Sequence, residues 1–149
     1  MPKEDEDNQG CPEKFRFLFP RDVIEINQQM LALTPGEHHS VIHQGALESA
    51  CQRPSLTLYY TQSEDIFSMA AALGEALVQS HPFANANKRT AADAVYRFLD
   101  LNGWELTAPS DEVISMYVGL AIHEYDKDEY ADWLAQWSRP FIPDNEGDG

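Results

Sequence analysis

The sequence is poor in cysteine and in basic residues, and each shortage excludes a class of protein. Its 149 residues include two cysteines, Cys11 and Cys51, which are too few for a disulfide framework or a four-cysteine metal site and favour a reducing cytoplasm. Ten lysines and arginines stand against 25 aspartates and glutamates, so the formal net charge is −15. Nucleic acids are bound through clustered lysine and arginine, so we expect no nucleic-acid partner.

Long apolar runs are also missing. No stretch approaches the roughly 18 consecutive apolar residues of a membrane span, and the acidic N-terminus is unlike a secretory signal. We therefore expect a cytoplasmic protein without a membrane partner. The chain length suits one domain, at residues 15–141, and the acidic, Gly- and Pro-containing ends at 1–14 and 142–149 are predicted to be disordered tails.

The periodicity of the apolar residues is helical nearly throughout. Clear apolar stripes include Val23-Ile26-Met30 and Ile66-Met69-Leu73-Leu77. A short helix should end before Pro54, and residues 55–62, rich in Leu, Thr and Tyr, are predicted to be an extended segment. No strand-like alternation suggests a sheet. The predicted fold is all-α, one compact bundle of about six helices with a short flap segment.

The most informative segment is residues 81–91, HPFANANKRTA, between two apolar helices. A helix starting near Asn87 would present free backbone N–H groups and the positive end of its dipole. Lys88 and Arg89 are the only basic residues between Pro54 and Tyr96. We therefore favour an anion site here over a solvated pair of surface cations.

His81 lies at the other end of the same segment, six residues before Asn87. Histidine is a common general base, so His81 could accept a proton from a hydroxyl while a phosphate occupies the anion site. A histidine at a helix C-terminus that bonds a terminal carbonyl is the alternative, and spacing leaves both open. His39 and His43 are four residues apart, but no third ligand is near, which disfavours a metal site.

Residues 81–89 resemble the motif of the Fic/Doc family, His-x-Phe-x-(Asp/Glu/Asn)-(Gly/Ala)-Asn-(Gly/Lys)-Arg. The resemblance extends to residues 45–54, GALESACQRP, and to residues 99–103, LDLNG, which are similar to segments of the Doc (death-on-curing) branch. It covers roughly residues 20–137.

The resemblance implies the role of each residue in this motif. His81 is the expected general base on the target side chain, and Phe83 is a structural anchor. Asn87 and the backbone amides of residues 86–89 (Ala86 to Arg89) form an anion hole in which Lys88 and Arg89 bind the phosphates of ATP. Position 85 normally helps to hold Mg²⁺ through a carboxylate, but here it is Asn85, a weaker neutral ligand. Tyr59 and Tyr60 lie where relatives carry a target-positioning flap.

Two positions favour the Doc branch over Fic adenylyltransferases. Lys88 replaces a glycine, and Ala92 stands where a second arginine is usual. The resemblance thus implies a toxin that phosphorylates Ser or Thr of an elongation factor Tu-like protein, with ATP bound in reverse and a separate antitoxin as partner. Transfer of AMP or another nucleotidyl group is the alternative. A catalytically weak binding module is a further alternative, because of Asn85 and the acidic body.

Overall fold

The structure is a computed structural model that describes residues 14–141. The predicted tails lie outside the described residues except for Lys14, whose Nζ is 2.9 Å from Glu64 Oε1. The described chain contains six helices and two short strands. In chain order these are α1 (Pro20–Ala32), α2 (Gln44–Thr61), α3 (Ile66–Ser80), α4 (Asn87–Leu101), β1 (Trp104–Leu106), α5 (Ser110–Ala121), α6 (Lys127–Gln136) and β2 (Ser138–Pro140). The predicted all-α fold of about six helices is confirmed.

Helix α3 forms the centre of the bundle. It is apolar on almost every side and contacts α2, α4, α5 and α6, as expected of a helix buried on all faces. Gly74 lets Tyr130 of α6, which is fully buried, lie against the α3 backbone, where a larger side chain would overlap the tyrosine ring. This central packing holds the C-terminal end of α3, from which residues 81–89 continue.

The predicted extended flap at residues 55–62 is wrong. Helix α2 runs without interruption through Pro54 to Thr61. Pro54 is buried on the same face as Leu47 and Ala50, against α3. Proline removes a backbone hydrogen bond from a helix interior, and we attribute the continued helix to this packing.

The expectation that no sheet forms is also corrected. Strands β1 and β2 pair antiparallel, with Glu105 opposite Arg139, and Arg139 Nε donates to Glu105 Oε1 at 3.0 Å. Strands of three residues are too short to show a period of two in the sequence. Among the described helices, none combines the length and apolar character needed to cross a membrane.

Candidate active site

Residues 81–86 form the loop between α3 and α4. This loop is held against a second segment, residues 37–43, which we call the facing segment. Pro82 O accepts hydrogen bonds from the N–H groups of Ile42 (2.8 Å) and His43 (3.1 Å), and Ala84 N donates to Ser40 O at 2.9 Å. Phe83 is buried in the core, 1% exposed, where an anchoring side chain belongs. The loop therefore has a defined backbone path at the end of the bundle.

The Asn87 side chain closes this loop. Its Oδ1 accepts from Phe83 N at 3.0 Å, and its Nδ2 donates to Phe83 O at 2.9 Å. Both polar ends of the amide are thus used within the protein. Nδ2 carries a second N–H, so the backbone N–H of Asn87 and this remaining side-chain N–H are the donors that it can still offer to an anion.

The N-terminus of α4 leaves backbone donors free. Ala86 precedes the helix in the left-handed conformation (φ 64°) and provides no side-chain cap. The first helical hydrogen bond runs from Thr90 N to Ala86 O, so the N–H groups of Asn87, Lys88 and Arg89 have no intrahelical acceptor. No other acceptor for them is present in residues 14–141. Three free donors at the positive end of a helix dipole are the arrangement that anion-binding sites in proteins use.

The two cations of the motif differ in their surroundings. Lys88 is exposed and forms no ion pair within the described part of the chain. Arg89 donates from Nη1 to Thr34 Oγ1 at 3.1 Å, and its Nη2 lies 3.3 Å from Glu37 Oε1. Lys88 is therefore available to an anion, whereas Arg89 is shared with a carboxylate of the facing segment.

The surroundings of His81 are compatible with both roles that its spacing left open. It ends α3 in a left-handed conformation (φ 50°), its ring is exposed, and its Nδ1 lies 3.2 Å from Gln79 O. A carbonyl oxygen can only accept, so Nδ1 carries the proton in this contact. The neutral ring then keeps the lone pair of Nε2, which can accept a proton from a substrate.

Comparison with known proteins identifies the family of this chain. A family model described as the Fic/DOC family matches residues 17–99. The chain is 32% identical over 119 residues to "Protein kinase doc" of Escherichia phage P1, covering 80% of this chain and 93% of that protein. The chain belongs to the Fic/DOC family. It is also 38% identical over 68 residues to "Toxin Doc" of Mycolicibacterium smegmatis, a match that spans 45% of this chain and 52% of that toxin. Both names support the Doc branch of the family.

A buried polar cluster behind the Fic/DOC motif was not predicted from the sequence. Asn27 of α1 is fully buried, and its Nδ2 donates to Asn85 O and to Thr90 Oγ1, each at 3.0 Å. Its Oδ1 lies 2.7 Å from His39 Nδ1, which therefore carries the proton. One amide thus joins α1, the facing segment, the loop and α4. A signal was present, since Asn27 lies four residues after Val23 on the apolar stripe of α1.

Asn85 is the residue of the Fic/DOC motif expected near a metal. Its Nδ2 donates to His38 O at 3.1 Å, which leaves Oδ1 as a single neutral oxygen for a ligand. In the part of the chain that the structure describes, no three histidine, cysteine or acidic side chains converge to hold a metal ion. These residues fit a Mg²⁺ ion held mainly by nucleotide phosphates, with Asn85 Oδ1 as one added ligand.

Tyr59 and Tyr60 are not brought to this loop. They lie at the exposed C-terminal end of α2, where their rings form an edge-to-face pair with centroids 5.0 Å apart. Fifteen residues separate Tyr59 from Gln44, the start of α2, which corresponds to about 22 Å along a helix axis. The facing segment, and not the two tyrosines, lies beside the motif. Contact of Tyr59 and Tyr60 with a target protein stays a prediction.

Proposed function

We propose that this protein is a Doc-type toxin that transfers the terminal phosphate of ATP to a serine or threonine hydroxyl of a translation protein resembling elongation factor Tu. The observation that supports this most strongly is the set of three unpartnered N–H groups at residues 87–89, six residues from a histidine with a free Nε2. The names "Protein kinase doc" and "Toxin Doc" of two relatives support a kinase and a growth-arresting toxin.

The residues of the loop divide the reaction between them. Backbone N–H groups of residues 87–89 and the Lys88 ammonium bind the phosphates and stabilise the charge that develops on them. His81 Nε2 removes the proton of the target hydroxyl as its oxygen bonds to the γ-phosphorus. The bond from that phosphorus to the β–γ bridging oxygen breaks, and ADP leaves. A Mg²⁺ ion bound with the nucleotide would neutralise part of the phosphate charge.

Phosphoryl transfer is favoured over AMP transfer by residues 88 and 92. Lys88 is a free cation beside the helix N-terminus, and Ala92 removes the second arginine that adenylyltransferases of the family carry. A binding module without catalysis is the weaker candidate. The pairing of Arg89 with Glu37 and the neutral Asn85 favour it.

A labelling experiment with matched histidine variants tests the proposal. Bacterial lysate and purified elongation factor Tu are incubated with protein, Mg²⁺ and ATP labelled at the α or the γ position. His81→Asn removes the base, and His123→Asn is the control, because both histidines are exposed and left-handed (φ 50° and 63°) and asparagine tolerates that conformation. We expect γ-label on protein with wild type and His123→Asn, and none with His81→Asn.

The other outcomes identify the alternatives. Transfer of α-label would show nucleotidyl transfer. Growth arrest that persists in His81→Asn without transfer of either label would show a binding module. The name "Toxin Doc" of one relative supports a separate antitoxin, which a neighbouring gene that suppresses growth arrest on coexpression would identify.

A further inference from the structure

The free N–H groups at the start of α4 lie between two residues that one buried side chain holds. Asn27 Nδ2 donates to Asn85 O, just before these groups in the chain, and to Thr90 Oγ1, just after them, each at 3.0 Å. Asn27 itself is 0% exposed, so both bonds are shielded from water. The two N–H bonds of one amide therefore hold both ends of residues 86–89.

The oxygen of the Asn27 amide has one hydrogen-bond partner among residues 14–141, and this is His39 of the facing segment. Nδ1 of His39 lies 2.7 Å from Asn27 Oδ1, and an amide oxygen can only accept, so Nδ1 donates its proton. An amide has nearly the same shape either way round, and its hydrogen bonds decide which way it lies. The donor on His39 therefore selects the orientation of the Asn27 amide.

The opposite orientation would break the contact with the loop. Oδ1 of Asn27 would then face Asn85 O, which is also an acceptor, and neither oxygen could supply the proton. A buried acceptor without a donor destabilises the arrangement that contains it. The loop would have to move away from α1, and the free N–H groups that follow it would move as well.

His39 makes a second contact toward the motif. Its ring is half-buried, and its centroid lies 5.9 Å from that of Phe83 at an interplanar angle of 45°. The ring packing and the Nδ1–H donor are separate properties of the same side chain, so substitution can remove one and keep the other.

We propose that His39 is a positioning residue for the phosphate site. Its Nδ1–H orients the Asn27 amide, and this amide holds the backbone that presents the free N–H groups of residues 87–89 to a phosphate. His39 acts through Asn27 and does not itself bind the phosphate. The inference rests on the proposed function, because it assigns a role in the same phosphate site.

Two substitutions at residue 39 separate the donor from the ring. His39→Asn keeps a donor in the same place but loses the ring, because Nδ2 of asparagine and Nδ1 of histidine are both bonded to Cγ. His39→Leu keeps an apolar group beside Phe83 and has no donor. Tripolyphosphate affinity, measured by calorimetry on protein shown to be folded by circular dichroism, should fall about fivefold in His39→Leu, equivalent to one net hydrogen bond. It should stay near the wild-type value in His39→Asn and in the exposed control Gln28→Leu.

A double variant tests whether His39 acts through Asn27. Once the Asn27 amide is absent, His39 has nothing to orient, so Asn27→Leu with His39→Leu should bind tripolyphosphate as tightly as Asn27→Leu alone. A further loss in the double variant would overturn the proposal. Weaker binding by His39→Asn than by His39→Leu would also overturn it, because ring packing would then be the property that matters.

A measurement on the wild type does not depend on the folding of any variant. NMR of the imidazole nitrogens in ¹⁵N-labelled protein should show the His39 proton on Nδ1, and a ring protonated at Nε2 alone would contradict the proposal. Wild-type protein that binds tripolyphosphate as tightly as His39→Leu does would refute the role of His39 alone. Failure of the wild type to bind tripolyphosphate would refute the phosphate site of the proposed function, and this inference with it.

Discussion

Replacing Asn27 by leucine removes the amide that joins four segments behind the motif. Leucine is similar in size and apolar, so the change deletes three hydrogen bonds without opening a large cavity. The partners left behind are the Asn85 carbonyl, the buried hydroxyl of Thr90 (1% exposed) and His39 Nδ1. Gln28→Leu is the matched control, since Gln28 is exposed on the same helix.

The expected loss follows from the number of bonds. At about 1 kcal/mol for each of the three hydrogen bonds, the free energy of unfolding should fall by about 3 kcal/mol. For a chain of 149 residues this corresponds to a decrease in Tm of about 6 to 12 °C. The exposed Gln28→Leu control should change the free energy by no more than about 0.5 kcal/mol.

Urea unfolding followed by circular dichroism measures both variants, with the m-value checked for a change in the unfolded state. The folded fraction of Asn27→Leu should also bind tripolyphosphate more weakly than wild type, because Asn27 holds the loop that precedes the free N–H groups. An Asn27→Leu protein as stable as Gln28→Leu would refute the structural role of the cluster. Equal tripolyphosphate binding would refute its role in positioning the loop.

Three further predictions concern the conformation, charge and burial of single residues. Ala86→Gly should raise the free energy of unfolding by about 0.5 kcal/mol, because glycine relieves the left-handed strain at the cost of a more flexible unfolded chain; Ala84→Gly, without positive φ, should lower it. Glu37→Gln should release Arg89 and tighten tripolyphosphate binding. The gain should be at most about fivefold, because the Arg89–Glu37 ion pair is half-exposed and therefore weak. Burial raises the pKa of Cys51 from 9.0 to about 12. The contribution of the protonated, buried thiol to the free energy of unfolding is therefore fully present below pH 9 and is lost as the pH rises toward 12. Between pH 9 and pH 12, Tm should decrease less steeply in Cys51→Ala than in wild type.

Controls make these three results interpretable. Glu25→Gln removes an exposed charge from α1 and should leave tripolyphosphate affinity unchanged; a gain equal to that of Glu37→Gln would mean that net charge alone is responsible. Burial also raises the pKa values of Tyr117 and Tyr130. The Tm of Cys51→Ala should therefore still fall with rising pH, but less steeply than the Tm of wild type. Identical alkaline slopes in wild type and Cys51→Ala would contradict the burial of the thiol.

Local signals in the sequence predicted most of the helical fold. The capping box of Asp126 and Glu129 opens α6, and the Asn102-Gly103 pair ends α4, with Gly103 at φ 92°. Both depend on side chains and backbone within a few residues, which is why the sequence alone shows them. Helix α3 begins in the same local way, because the Asp65 side chain accepts a hydrogen bond from Phe67 N.

Features that depend on distant contacts could not be predicted in this way. Pro54 by itself predicts the end of a helix. It lies inside α2 because the face of α2 that carries it is buried against α3. The facing segment has no regular pattern of its own, and its path is set by backbone hydrogen bonds to Pro82 and Ala84, about 40 residues later in the chain. The sequence therefore located the motif but not the segment that borders it, nor Asn27 behind it.

Backbone amide chemical shifts, recorded as Mg-ATP is added to ¹⁵N-labelled protein, test most directly whether phosphate binds at the start of α4. The proposed site predicts that the largest shifts occur at the amides of Asn87, Lys88 and Arg89, because their N–H groups exchange water for phosphate oxygens. Saturable shifts elsewhere with these three amides unchanged would contradict it, as would no shift at all.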